Sequence, residues 1–323
     1  MRKVKMVVVT LFAIVAPLMW MSETCAQIPV IRFARAFNMT GHEHLMMTKP
    51  EMFPNLNKKY EIKWIRVPGA PAQFVAAAAG EVDAGETMPE PLVKARIKGI
   101  KVKFVAGVMQ GKKDQHSGEL YVVLADGGIQ SLKDLKGKIL AVNTKGSAIA
   151  AYLLAGLKRV GIGEKDVTLV EMDWPNMGNA LRAKTVDMAT LLDPYYTMEK
   201  TKGNIKLVFN AYEIIPEMQF LSVWFAEDYL KKYPEVVRAF LSDFQIASKY
   251  LSGNEEEAKR LGSEYTKVKL EVFKAMDKWW LIDPKARMNL KAIEADMKLM
   301  AEFGIISKVL PIEEVATHEY LPN

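Results

Sequence analysis

Val82-Asp83-Ala84-Gly85 has a counterpart in Val186-Asp187-Met188-Ala189, 104 residues further along the chain. The same offset relates Gly99-Ile100-Lys101-Val102-Lys103-Phe104 to Gly203-Asn204-Ile205-Lys206-Leu207-Val208. Two matches at one spacing point to two lobes built on one plan. Outward from these anchors, the first half reads as strand (30–37), helix (45–53), strand (60–67), helix (71–79), short strand (82–86), helix (89–98) and strand (102–108). The second half repeats the beat, with strands at 139–143, 167–172, 188–192 and 205–209. Its best-marked helix follows Gly146-Ser147, with Ile149, Tyr152, Leu153, Leu157 and Val160 at helical spacing before Gly161 and Gly163. Strands alternating with helices of this length predict an α/β protein with mainly parallel sheets flanked by helices.

Beyond residue 209 the rhythm changes. Residues 213–226 read as a returning strand, and the remainder is mostly helical, with stops at Gly253, Pro284 and Gly304. Such a tail most simply packs on the first lobe. The expected organisation is a discontinuous first lobe (27–116 and 218–323), an inserted second lobe (117–217), and two hinge segments near 117–123 and 211–223.

The composition of the 323 residues is that of a globular protein, 50% hydrophobic and 25% charged, with 44 Lys+Arg, 38 Asp+Glu and 1 Cys. A disordered chain and a disulfide-stapled miniprotein are excluded. Arg2, Lys3 and Lys5 precede an uncharged run over 6–21, and Thr24 and Ala26 offer small residues for cleavage before Gln27. This is the layout of a cleaved signal peptide over 1–26, too short in its apolar run for a membrane span. The expected product is soluble, periplasmic and free of cysteine.

In open α/β sheets ligands bind beyond the carboxyl ends of the strands. The loops expected there are 38–44, 68–70 and 87–88 in the first lobe and 144–148, 173–177 and 193–196 in the second. Gly146 and Ser147 open a helix, where free amides attract anions, and Thr40, Gly41 and His42 hold the matching place. Both loops can equally be helix caps. Phe37, Trp174, Tyr195 and Tyr196 would supply aromatic faces with polar tips. Catalytic signatures are missing: Gly161-Ile162-Gly163-Glu164-Lys165-Asp166 lacks the last glycine of a dinucleotide fingerprint, and no phosphate-binding Gly-Lys-Ser/Thr loop or Gly-x-Ser-x-Gly elbow occurs. His42-Glu43-His44 lacks the His-Glu-x-x-His spacing of a zinc site. No enzyme activity, cofactor or metal is expected. The basic residues are scattered among acids, which argues against nucleic acid.

These residues carry a resemblance. The leader, Ala78-Ala79-Gly80-Glu81-Val82-Asp83-Ala84-Gly85, Ser131-Leu132-Lys133-Asp134-Leu135-Lys136-Gly137-Lys138, Val186-Asp187 with Asp193-Pro194, and the ending from Gly304-Ile305-Ile306 to Tyr320-Leu321 are similar to periplasmic substrate-binding proteins of ABC importers. The group is the nitrate/sulfonate/taurine type, related to binders of thiamine pyrimidine precursors. The resemblance implies a two-lobed monomer that closes on a small molecule and docks on a membrane permease. It places ligand contacts on Asn38, Thr40, Gly41, His42, Gly69, Thr87, Met88, Gly146, Ser147, Trp174, Asp193, Tyr195 and Tyr196. The Cys-rich motif of the pyrimidine-synthesising branch is absent. A sulfonate, carboxylate or related organic anion is the expected ligand, with a neutral or cationic heteroaromatic paired with Asp193 as the alternative and an exported enzyme ranked below both. An Arg or Lys in the cleft, such as Arg35 or Lys145, separates the two ligand classes.

Overall fold

The computed structural model describes residues 28–35, 41–67, 69–115 and 118–323; the expected leader lies outside them. Among these residues ten strands form two five-stranded sheets. The first contains β1 (Val30–Arg35), β2 (Glu61–Arg66), β3 (Ala84–Thr87), β4 (Val102–Lys112) and β10 (Glu217–Ala226), in the order β2-β1-β3-β10-β4. The second contains β5 (Leu120–Leu124), β6 (Ile139–Val142), β7 (Thr168–Glu171), β8 (Met188–Leu191) and β9 (Ile205–Asn210), in the order β7-β6-β8-β5-β9. The orders are equivalent, and the two motifs separated by 104 residues lead into β3 and β8, the middle strands of their sheets. In each sheet one strand runs against its neighbours: β10 pairs antiparallel with β3 and β4, and β5 with β8 and β9. Each is the strand next to a crossing between the sheets, one crossing lying between Lys112 and Leu120 and the other between Asn210 and Glu217.

The first motif is fixed by packing. A Cβ on Gly85 would lie 2.8 Å from Trp224 Cζ2 and 3.0 Å from the Ala34 carbonyl, so the indole of β10 crosses β3 only where a side chain is missing.

The helices are α1 (His42–Thr48), α2 (Ala70–Ala78), α3 (Pro89–Ile97), α4 (Ala148–Arg159), α5 (Trp174–Arg182), α6 (Tyr195–Thr201), α7 (Glu227–Lys232), α8 (Pro234–Gly253), α9 (Glu255–Thr266), α10 (Leu270–Lys274), α11 (Leu290–Glu302) and α12 (Ile312–Val315). Pro234 at the start of α8 has no amide hydrogen to leave unpaired. Val237, Leu241, Phe244, Ala247, Ser248 and Leu251 repeat at helical spacing and are buried, as is Phe240. Phe240 meets Phe33, Tyr60 and Phe225 at centroid distances of 6.0, 5.8 and 5.6 Å. Burying one such ring contributes about 2 kcal/mol. Asp243 beside it accepts from the Tyr60 hydroxyl at 2.8 Å and from Asn55 Nδ2 at 2.9 Å. The tail thus packs on the first sheet. It also reaches the second lobe, where Asp296 of α11 accepts from the Tyr152 hydroxyl of α4 at 2.5 Å and Glu302 pairs with Lys158 at 2.9 Å.

Three local expectations are corrected. The helix expected over 45–53 runs from His42 to Thr48 and gives way to a 3-10 turn at Pro50, because proline disfavours helical backbone at the preceding residue. Residues 120–123, read as part of a hinge, belong to β5, and residues 217–223 to β10. Leu120-Tyr121-Val122-Val123-Leu124 is buried on both faces and so lacks the alternation that marks a half-exposed strand.

Candidate functional site

Both sheets turn the carboxyl ends of most strands toward one cleft, and a cavity of about 520 Å³ there has walls from both lobes. The first lobe supplies Gly69, Phe74 and Met88 from the starts of α2 and α3; the second supplies Asn143, Thr144 and Ser147 from the turn between β6 and α4. Ser147 caps α4. Its Oγ accepts from the Ala150 amide at 3.3 Å and donates to the Thr144 carbonyl at 2.7 Å. The cap and the cavity wall are therefore the same residue. Lys94 of α3 bridges the lobes directly: its Nζ donates to the Gly146 carbonyl at 2.5 Å and pairs with Glu90 at 2.9 Å.

A second cavity of about 680 Å³ adjoins at Gly69, which lines both. It sits over the ends of β1 and β2, and Arg35, Arg66, Glu264, Tyr265 and Lys267 line it. Arg35 Nε lies 3.2 Å from Glu43 Oε2, and its guanidinium carbon stands 5.0 Å from the Tyr265 ring centroid. Burial raises the Glu43 carboxyl above the usual range while Arg35 pulls it back. A third concavity, about 610 Å³, lies at the opposite, amino ends of the first sheet. Its Arg32 is tied to Asp83 at 2.9 and 2.5 Å, and it faces away from the strand ends where α/β ligands bind.

The residues expected from sequence divide into groups. Phe37, Asn38 and Thr40 lie outside the described residues. Gly69, Met88 and Ser147 line the inter-lobe cavity, and Gly146 borders it through Lys94. Thr87 is buried at the end of β3, opposite Ser222 of β10. Trp174 begins α5 and Tyr195 begins α6, so these aromatics sit in first helical turns and not in free loops. Trp174, Tyr195 and Tyr196 are half-buried against the core of the second lobe and lie outside the walls of both carboxyl-end cavities. Asp193 is turned into its own helix, with Oδ1 accepting from the Thr197 amide at 3.1 Å and hydroxyl at 2.6 Å.

His42 departs most from the expected polar loop. It is fully buried, stacked on Phe244 at 4.8 Å, with Nε2 3.2 Å from Ser248 Oγ. Desolvation pushes its imidazole down to about 3, so it is neutral at any physiological pH. Gly41 before it has φ 83°, and a Cβ there would lie 2.7 Å from Leu261 Cβ. His44 pairs with Glu264 at 3.2 Å, away from His42. Among the described residues no group of three or more His, Cys, Asp or Glu is placed to hold a metal.

Sequence reasoning named Arg35 but missed Arg66, Tyr265 and Lys267. The available signal was that Arg35 and Arg66 each end a strand at the side where ligands bind. Lys145, the other cation singled out, is exposed, with its amide bound to Glu171 Oε1 at 2.8 Å.

Two lobes of equivalent strand order around a cleft define a two-lobed periplasmic-binding-protein architecture. The family model described as "NMT1/THI5 like" matches residues 65–258, and the chain belongs to that family. A protein of Bacillus subtilis (strain 168) named as an aliphatic sulfonates-binding protein is 28% identical over 207 residues, 63% of this chain and 60% of that one. Its namesake in Escherichia coli (strain K12) is 25% identical over 206 residues, 63% of this chain and 62% of that one. The matched region thus spans somewhat under two thirds of these curated relatives. A solved periplasmic sulfonate-binding protein SsuA from Methylobacillus flagellatus KT superposes with TM-score 0.72 at 19% identity, covering 91% of this chain and 92% of that one, which establishes the shared fold.

Proposed function

We propose that this chain is an extracytoplasmic solute-binding protein that captures a small organic anion between its lobes and delivers it to an ABC permease. The observation that carries this reading is the cavity of about 520 Å³ walled by both lobes at the carboxyl ends of their strands. A ligand touching both walls favours the closed arrangement by its better fit there, and the two crossings between the sheets are where such a motion would bend. The relatives named for sulfonate binding support the ligand class, as does Arg35 at the adjoining cavity. The heteroaromatic alternative lacks support at Asp193, which is buried and lines neither carboxyl-end cavity. The working form is a monomer released by cleavage after Ala26. Isothermal titration of the purified protein with sulfonates, carboxylates and pyrimidines tests the reading. Saturable binding of one class without turnover is expected, and an absence of binding by every class overturns it.

A further inference from the structure

The two faces of the second sheet are joined to the first lobe in different ways. Side chains alternate along a strand, and on β5 Tyr121 and Val123 turn to one face while Val122 and Leu124 turn to the other. The first face carries α4, whose Tyr152 and Leu153 belong to an apolar core that continues into Met297 and Met300 of α11 in the first lobe. The second face carries α5 and α6. There Met177 and Leu181 centre a separate small core, with Tyr195 and Tyr196 against it, which among the described residues draws on the second lobe alone.

The polar bonds between the lobes follow the same division. On the α4 face the Tyr152 hydroxyl donates to Asp296 with both side chains buried, Lys158 pairs with Glu302, and Lys94 reaches Gly146 at the start of the helix. Arg159 at the end of α4 donates to the Glu213 carbonyl at 2.5 Å, which ties this face to the second crossing between the sheets. On the other face, among the described residues, one ion pair joins the lobes: Lys200 in the last turn of α6 and Asp277 just beyond α10. Their side chains are 47% and 62% exposed, so water and salt compete for both.

These two attachments differ in what it takes to part them. Separating α4 from α11 exposes a shared apolar core and strips a buried hydroxyl and carboxyl of their partners. Parting an exposed ion pair changes an equilibrium by about fivefold at most. From this asymmetry we infer that the second lobe pivots on its α4 face and swings on its α6 face, with Lys200 and Asp277 as the clasp that sets how long the lobes stay closed. The inference rests on the solute-binding reading and adds to it which side of the cleft parts and which pair releases it.

The test is pulsed electron spin resonance on the full chain without ligand, with Cys25→Ser removing its one cysteine. Nitroxide labels on Thr201→Cys and Lys274→Cys span the clasp, and labels on Lys165→Cys and Lys298→Cys span the pivot; all four positions are exposed. Asp277→Lys sets two like charges together and should lengthen the first distance while leaving the second unchanged. Lys200→Gln should act in the same direction more weakly, and the swapped pair Lys200→Asp with Asp277→Lys should restore the short distance. Bound hexanesulfonate should leave Asp277→Lys about fivefold faster than the swapped pair. An unchanged clasp distance in Asp277→Lys overturns the inference, as does a pivot distance that lengthens as much. A clasp distance that responds as expected in a protein that binds no sulfonate, carboxylate or pyrimidine keeps the clasp and sinks the solute-binding reading alone.

Discussion

Glu119→Gln should make the protein more stable at neutral pH and leave it nearly unchanged near pH 5. Glu119 lies on the first crossing between the sheets, and its carbonyl accepts from the Ala211 amide of the second crossing at 3.0 Å. Its carboxyl group is fully buried, and neither oxygen has a hydrogen-bond partner in another described residue. Burial pushes it up to about 8, and the nearby Asp296 carboxyl, also buried, up to about 7. Around them stand the phenols of Tyr121, Tyr152 and Tyr212, with Glu90 facing Asp296. In the unfolded chain both acids lose their protons near pH 4, while the folded chain keeps them to pH 7 or 8. Across that window the native state binds more protons, so stability falls as pH rises, by about 1.4 kcal/mol per pH unit for each group. Between about pH 5.5 and about pH 7.5 Glu119 alone removes about 3 kcal/mol. Glutamine has the same shape and cannot ionise. Urea denaturation of both proteins at several pH values between 5 and 8 reads the difference directly. The two curves of unfolding free energy should diverge steadily above pH 5 and run parallel again above pH 8. Parallel curves throughout, or a variant destabilised equally at every pH, would refute the reasoning.

Other outcomes follow from the same geometry. Lys94→Met removes the bond to the Gly146 carbonyl and should shift the lobes apart, lowering ligand affinity several-fold for about 1 kcal/mol lost; small-angle scattering checks the shape and titration the affinity. Gly85→Ala drives a methyl group into Trp224 and the Ala34 carbonyl and should cost about 1 to 3 kcal/mol in denaturant unfolding. His42, held down to about 3, has the opposite pH sign from the buried acids: below about pH 6.5 the unfolded imidazole gains a proton that the native one refuses, so stability falls on acidification. Its ring resonances should not titrate between pH 7 and pH 5, and a normal titration would show that it is exposed.

The duplication was legible because each copy of the motif leads into the middle strand of a sheet, and in the first copy Gly85 must lack a side chain there. The antiparallel strand in each sheet was less so. Nothing in Leu120–Leu124 announces a central strand, since a segment buried on both faces has no period to detect. The helical setting of the aromatics was hidden for a related reason. Residues 173–177 read as a loop, yet the proline at position 175 is at home in the first turn of a helix, and α5 starts at Trp174. The fate of His42 depends on Phe244 and Ser248, more than 200 residues away, and no local pattern reports such a partner. Arg35 and Arg66 were each visible as strand-ending cations, but their adjacency is a matter of register between strands, which a linear reading does not carry.

The placement of β10 has a consequence for the order in which the molecule can be assembled. All five strands of the second sheet lie between Leu120 and Asn210, whereas the first sheet stays split until residues 217–226 enter between β3 and β4. A chain emerging from its N-terminus therefore completes the inserted half first. Its opening hundred residues must wait, with the edges of β3 and β4 unpaired, for a strand made after everything they enclose.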